Sequence, residues 1–399
     1  MIQDTRVQDI NDKPQRDGKY VLYWMQESMR TRYNYGLEYA IEKANELGLP
    51  PLVCFGVTDA YPEANARHYL FLLQGFRDVE KNLAKRGIKF VVKFGPQQNA
   101  AIHYGKDAAL IVCDRGYLRH QIAWCNEAAD TVDCKMVQVE SDVVVPVDEA
   151  SSKHEYGART IRPKIQRLWD KYLVPLEPTP VKHPSLGLKV SGDVDVSDPD
   201  KLLKRFDKLD FSVAPVSQFF EGGEDAAASR LADFANRKLD GYAEGRNEPS
   251  SDRHSYMSMY LHFGHVSPVE LALQVRGENA PAADRDSYLE ELIVRRELSM
   301  NYCNFVPNYD SYDALPDWAK KTLADHAADE RPVVYSLEEL ETASTGDVYW
   351  NAAQMQMVAT GFMHNYMRMY WGKKILEWTA SPREAYDRVM YLNNKYFLC

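Results

Sequence analysis

The stretch YVLYWMQESMRTRYNYGLEYAIEKANELGLPPLVCF (residues 20–55) decides the fold. Tyr20–Trp24 is an unbroken apolar run of strand length. From Leu37 the apolar positions spread out: Leu37, Ala40, Ile41, Ala44 and Leu47 recur at helical spacing, and Gly48 stops them. Leu52-Val53-Cys54-Phe55 is apolar again, without alternation. Strands apolar on both faces are covered on both faces, and such strands alternating with helices make a parallel sheet. The pattern continues outward. Leu72, Leu73, Phe76, Val79 and Leu83 mark a second amphipathic helix closing near Gly87, and further strands are expected at Ile88–Phe94, Ala109–Cys113 and Lys135–Val139. The expectation is a doubly wound, Rossmann-like α/β domain over about residues 15–150. Neither GxGxxG nor GxxxxGK[ST] occurs in it, so a standard dinucleotide or P-loop site is not expected there.

Residues 151–225 change character. Pro175, Pro178, Pro180 and Pro184 cluster, acidic polar runs follow, and one short helix is expected near Leu202–Leu209. This segment reads as a connector. From 226 to 399 the pattern is helical, with helices expected at Ala226–Leu239, Val266–Val275, Ser287–Tyr302, Trp350–Thr360, His364–Trp378 and Pro382–Tyr391. Ser381-Pro382-Arg383-Glu384 carries a capping Ser, Pro at the first helical position and Glu at the third.

Composition narrows the class. Hydrophobic residues make up 45% of the chain, which describes a globular protein, and no stretch approaches the ~20 apolar residues that span a bilayer. The polar N-terminus lacks the apolar run of a secretory signal, so a cytoplasmic protein is expected. Six cysteines without CxxC pairing read as reduced thiols, not as a metal site. The net charge of -10 argues against a nucleic-acid partner unless a local basic face exists. Lys153, Arg159, Arg162, Lys164, Arg167 and Lys171, opposed locally only by Glu155 and Asp170, are the candidate for that face. With 25 tyrosines and 7 tryptophans, the chain has either a large aromatic core or rings that stack on ligands or carry electrons. Trp371 and Trp378 share nearly one helix face, two turns apart, and Trp350 opens a separate helix. Spacing alone favours ordinary core tryptophans.

The wording around them points further. WNAAQMQM (350–357), TGFMHNYMRMYWGKKILEWT (360–379) and YLNNKY (391–396) resemble signatures of class II cyclobutane pyrimidine dimer photolyases. So do YWMQESMRTRYNY (23–35), KHEYGARTIRPKI (153–165), YLHFGHVSP (260–268) and EELIVRRELSMNYCNF (290–305), in family order. The resemblance implies an all-helical domain that binds FAD after the α/β domain. It implies light-driven repair: the excited, fully reduced anionic flavin lends an electron to the dimer, the ring splits, and the electron returns. The cofactor carries that chemistry and the protein positions and tunes it.

Residue by residue, the resemblance makes Asn393 the amide facing the flavin N5 edge and Trp350, Trp371 and Trp378 the relay that reduces the flavin, with Trp378 proximal or central. It makes Glu291 the carboxyl that meets the lesion and stabilises its developing charge, and Met369 the thioether packed on the dimer. Arg295 and Arg368 become cations near the flavin. Ser255, Met257 and Ser258 become the diphosphate loop, with Tyr242 an aromatic on the same cofactor. Arg159, Arg162, Lys164 and Glu291 become DNA contacts, for a dimer flipped out of UV-damaged duplex. A second, antenna chromophore of deazaflavin or folate type is possible in the α/β domain, and a monomer is expected.

Two departures matter. The family has Leu-Ser-Pro-Tyr where this chain has Met257-Ser258-Met259-Tyr260, which removes a helix-start constraint but keeps both serines. The family also continues past Cys399 with Asp-Gly-Arg-Asp and an aromatic-rich stretch, so the chain reads as C-terminally short of flavin contacts. The alternatives are a cryptochrome-like photoreceptor, or an inactive photolyase fragment without stable FAD.

Overall fold

The computed structural model describes residues 2–399. Strands β1 (Val7–Asp9), β2 (Tyr20–Trp24), β3 (Pro51–Val57), β4 (Lys89–Phe94), β5 (Ala108–Asp114) and β6 (Lys135–Val139) form one sheet in the order β1-β6-β5-β2-β3-β4. The strands from β2 to β6 are parallel, as the apolar runs require, and β1 pairs antiparallel to β6. β1 lies upstream of the expected start at residue 15. Its Val7-Gln8-Asp9 carries no apolar run to announce it.

Strand alternation feeds two cores. Tyr20, Leu22 and Trp24 face Ala100, Ala101 and Cys125 of helices Gln98–Gly105 and Arg119–Thr131. Val21 and Tyr23 face Leu37, Ala40 and Ile41 of Tyr35–Leu47 and Leu73 and Phe76 of Ala66–Lys85. The connector runs along the open edge of β4. Asp193 N–H donates to Val92 O at 3.0 Å, and Phe94 N–H donates to Asp193 Oδ1 at 2.7 Å. A free parallel edge is thereby closed to other strands.

The rest is helical. The expected helices appear as Glu224–Arg237, Pro268–Gly277, Val348–Thr360, Asn365–Glu377 and Pro382–Tyr396, with Ser381 Oγ accepting from Glu384 N–H. The connector holds Pro199–Leu203 near the expected short helix, and also Ala158–Gln166 and Trp169–Tyr172, which were not expected there. The helix expected at Ser287–Tyr302 is three consecutive pieces, Ala282–Leu289, a π-helical Glu290–Arg295, and Arg296–Phe305. No described helix is long and apolar enough to cross a membrane. Cys54, Cys113, Cys125 and Cys134 are buried free thiols.

Two devices lock the halves together. The loop after β2 is held from every side. Asp114 accepts from Gln26 and Ser28 N–H, Glu224 accepts from Thr31 N–H and Oγ1, and the buried Arg30 donates to Gly264 O and Ser141 O. Gly264, at φ 70°, approaches so closely that a Cβ would sit 1.9 Å from Glu27 O, which only glycine permits. The second device is Arg67 on Ala66–Lys85. It donates to the carbonyls of Ala214, Met357, Val358 and Tyr396, two of which end Val348–Thr360 and one Pro382–Tyr396. A cation on helix C-termini satisfies orphan carbonyls and complements the dipole.

Candidate active site between the two halves

Two adjoining cavities open where the helices meet the strand ends. One, of about 560 Å³, gathers Tyr242, Ser255, Met257, Ser258 and Glu291. These come from segments well separated in sequence, from the short helix Tyr242–Gly245 to the π segment. Tyr242 is buried edge-to-face on Tyr288 at 5.3 Å, and burial pushes its phenol up to about 12. Ser255 Oγ accepts from Tyr288 OH at 3.1 Å and from Met257 N–H at 3.3 Å. Glu291 Oε1 accepts from Arg246 Nη2 at 2.8 Å. The site thus offers hydroxyls, buried aromatic rings and a carboxylate–guanidinium pair.

Arg295 does not join them. It is exposed, 3.4 Å from Glu290, and Arg296 lines the cavity instead, its Nη2 donating to Asp142 Oδ2 at 2.8 Å. The cause is the π turn, whose extra residue rotates the downstream helix by about one position. Glu290 is not a free surface carboxylate either. It takes both Arg162 Nε and Nη2, at 2.9 and 2.6 Å.

The other cavity, of about 470 Å³, lies over the carboxyl ends of the parallel strands. Gln26 and Glu27 follow β2, Thr58 follows β3, Gln97 follows β4 and Leu118 follows β5. The chain order reverses between β2 and β5, the place where open α/β sheets bind ligands. Asn393, Asn394 and Phe397 close it from the helical side. Asn393 therefore borders this cavity, and its Nδ2 donates to Asn394 Oδ1 at 2.9 Å. Arg368 reaches the same wall from behind, stacked over Phe397 at 3.6 Å. Glu27, Tyr61, Leu118 and His262 line both cavities. Glu27 Oε2 accepts from Gln121 Nε2 at 2.7 Å, and burial beside Asp114 and Asp142 holds its carboxyl well above the usual range.

The three tryptophans share one buried cluster. Trp350 and Trp378 meet edge-to-face at 5.5 Å, Trp350 Nε1 donates to Trp371 O at 3.1 Å, and Trp371 Nε1 donates to Gln354 Oε1 at 2.8 Å. Trp371 lies 6.5 Å from Phe397 on the cavity wall, whereas Trp378 lies beside Tyr335 and Lys374. The expectation that Trp378 is proximal or central does not fit. Trp371 stands nearest the cavity, because Asn365–Glu377 enters from its N-terminal end beside Phe397.

Met369 borders neither cavity and is 61% exposed. The basic run is less free than its local sequence suggested. Arg162 pairs with Glu290, Lys164 with Glu155 at 2.5 Å, and Lys171 with Glu149, while Arg159 stays exposed. The sequence reading missed Glu27, Tyr61, Arg246, His262, Tyr288 and Arg296. A signal existed for Glu27, which follows an apolar strand directly. The others converge only through tertiary packing.

Comparison with known proteins fits this geometry. The profile of the DNA photolyase family matches residues 21–184. A deoxyribodipyrimidine photo-lyase of Methanothermobacter thermautotrophicus is 48% identical over 399 residues, covering 99% of this chain and 86% of that protein. Among solved structures, a class III photolyase of Agrobacterium tumefaciens aligns with a TM-score of 0.69 at 18% identity, over 94% of this chain and 80% of that one. A cryptochrome of Synechocystis sp. aligns with the same TM-score of 0.69 at 16% identity, over 95% and 82%. The fold alone therefore does not separate photolyases from cryptochromes, but identity sustained along nearly the whole sequence does define descent: the chain belongs to the DNA photolyase family.

Proposed function

We propose that the chain is a class II photolyase that repairs cyclobutane pyrimidine dimers in DNA with FAD and light. The observation that carries this reading is the 560 Å³ cavity, where Tyr242, Ser255, Met257, Ser258 and Glu291 converge. The residues suit FAD on chemical grounds. Ser255 and Ser258 offer hydroxyls to a diphosphate, Arg296 lines the same cavity, and Tyr242 and Tyr288 offer ring faces and edges to planar groups. Bound there and fully reduced, FAD would supply the light-driven electron that splits the dimer.

The chain's own residues hold the reactants. Glu291, kept in place by Arg246, presents a carboxyl group to the base edge of a lesion entering the cavity. Met369, open to solvent, is free to pack on an extruded base. Asn393 offers a neutral amide from the adjoining wall. Trp378, Trp350 and Trp371, in that order from outside inward, pass electrons toward Phe397, on the helical wall of the adjoining 470 Å³ cavity. Arg159 is the member of the basic run best placed to meet phosphate, since Arg162 and Lys164 already hold carboxylates. The strand-end side of the 470 Å³ cavity, opposite Asn393 and Phe397, is where a second chromophore of deazaflavin or folate type would sit.

The test is spectroscopic. The purified chain, incubated with FAD, should retain flavin absorption after gel filtration, and Ser258→Tyr should lose it by blocking the cavity. A colourless protein under all conditions would overturn the proposal, and stable flavin without any repair would favour a photoreceptor.

A further inference from the structure

A second aromatic cluster stands on the α/β side of the crevice, outside the machinery described above. Tyr61, on the loop after β3, lines both cavities. Its hydroxyl meets His120 Nε2 at 2.8 Å. The rings of Tyr61 and His120 lie 5.1 Å apart, His120 and Trp124 4.9 Å, and Tyr61 and Trp124 5.8 Å, all edge-to-face. The three form a closed triangle with one corner on the cavities and another, the half-buried Trp124 on Arg119–Thr131, toward the surface.

The protonation states depend on the surroundings. Burial and the neighbouring Glu27 push the Tyr61 phenol far up, so it keeps its proton. Burial and Arg119 hold His120 below the usual histidine range, so the ring is neutral near pH 7. With the His120 ring in its Nδ1–H tautomer, Tyr61 is the donor and His120 Nε2 the acceptor. The simple reading is a buried hydroxyl satisfied by the nearest acceptor. Yet Tyr20 and Tyr260 are satisfied by carbonyls, of Tyr104 and Glu221, which cannot take up a proton. An imidazole can, and phenol oxidation in a desolvated site would otherwise leave a buried cation without a partner.

We propose that Tyr61, His120 and Trp124 form a proton-coupled redox site facing the crevice. One electron leaves the Tyr61 phenol for a photo-oxidising ring of the flavin or deazaflavin class, and the O–H proton passes to His120 Nε2. The products are a neutral tyrosyl radical and an imidazolium. Return of that proton, with one electron drawn through Trp124 from a thiol-class reductant in solution, restores both residues. Only the identity of the oxidant rests on the function proposed above.

The experiment therefore uses an external oxidant. The full chain is mixed with tris(bipyridine)ruthenium(II) and persulfate, illuminated, frozen and examined by electron paramagnetic resonance. The expected result is a tyrosyl signal with a component, above the background of the exposed tyrosines, that Tyr61→Phe removes. His120→Gln, which keeps a hydrogen-bond acceptor but no base, should lower its yield by at least about tenfold. Trp124→Phe should slow its decay on adding thiol. Thermal melting of each variant separates these effects from misfolding, and the conservative Tyr61→Phe keeps the ring packed. An unchanged signal in both folded Tyr61→Phe and His120→Gln would overturn the proposal. That outcome would stand whether or not the chain binds FAD or repairs dimers, so the two readings fail separately.

Discussion

The tryptophans of the helical side and the Tyr61 cluster of the sheet side approach the same crevice, yet they hold their polar hydrogens differently. Trp350 Nε1 donates to a main-chain carbonyl and Trp371 Nε1 to the Gln354 amide, acceptors too weakly basic to take a proton. The Tyr61 hydroxyl instead shares its hydrogen bond with an imidazole, a ring that can take up a proton. An electron can leave the tryptophans with every nucleus in place, whereas it leaves Tyr61 only with its proton. The packing agrees. Trp350 and Trp371 are nearly sealed from water, while Trp124 is half-buried. In the proposed roles, one side would serve as a dry electron path and the other as a site that exchanges protons.

The largest effect expected from breaking this contrast falls on Trp371. Trp371→Phe should abolish blue-light reduction of bound FAD, followed as flavin bleaching, whereas Trp378→Phe, at the outer end, should leave a measurable residual rate. Equal loss in both would contradict the inward order given by the contacts. Next comes Glu291→Gln, which should cut dimer repair about tenfold or more while leaving flavin retention unchanged, if the carboxyl acts on the lesion and not on the cofactor.

Smaller effects concern stability. Gln354→Leu leaves the buried Trp371 N–H without an acceptor and should cost about 1–3 kcal/mol in denaturant unfolding. Glu297 gives a pH signature. Its buried carboxyl accepts from Val144 and Val145 N–H, and burial raises it from 4.5 to about 8. The unfolded chain releases that proton near the ordinary value while the folded chain keeps it, so stability is full at low pH and is lost as pH rises toward 8. Glu297→Gln should flatten the melting profile over that window; an unchanged slope would mean the carboxyl is ionised when folded.

Much of this contrast was hidden in the sequence. Tyr20–Trp24 and Leu52–Phe55 announce buried parallel strands because burial on both faces demands unbroken apolar runs. Ser381-Pro382 announces its helix because capping is local. Trp371 and Trp378 could be placed on one helix by spacing, but their order toward the crevice depends on Phe397 and Tyr335, which only packing brings near. Arg295 came from the resemblance, and nothing in the sequence shows the π turn beside which it faces solvent. Arg162 looked free because its partner, Glu290, lies 128 positions away. Tyr61, on the loop after β3, and His120, in the first turn of the helix Arg119–Thr131, carried no shared pattern at all.

Repair is tested most directly on a defined lesion. An oligonucleotide carrying a single cyclobutane thymine dimer is incubated with the FAD-loaded, chemically reduced chain, and dimers are counted by chromatography after blue light and after darkness. The account predicts loss of dimers in the light and none in the dark, with Glu291→Gln strongly impaired. Dimers that persist under illumination, with reduced flavin demonstrably bound, would contradict it.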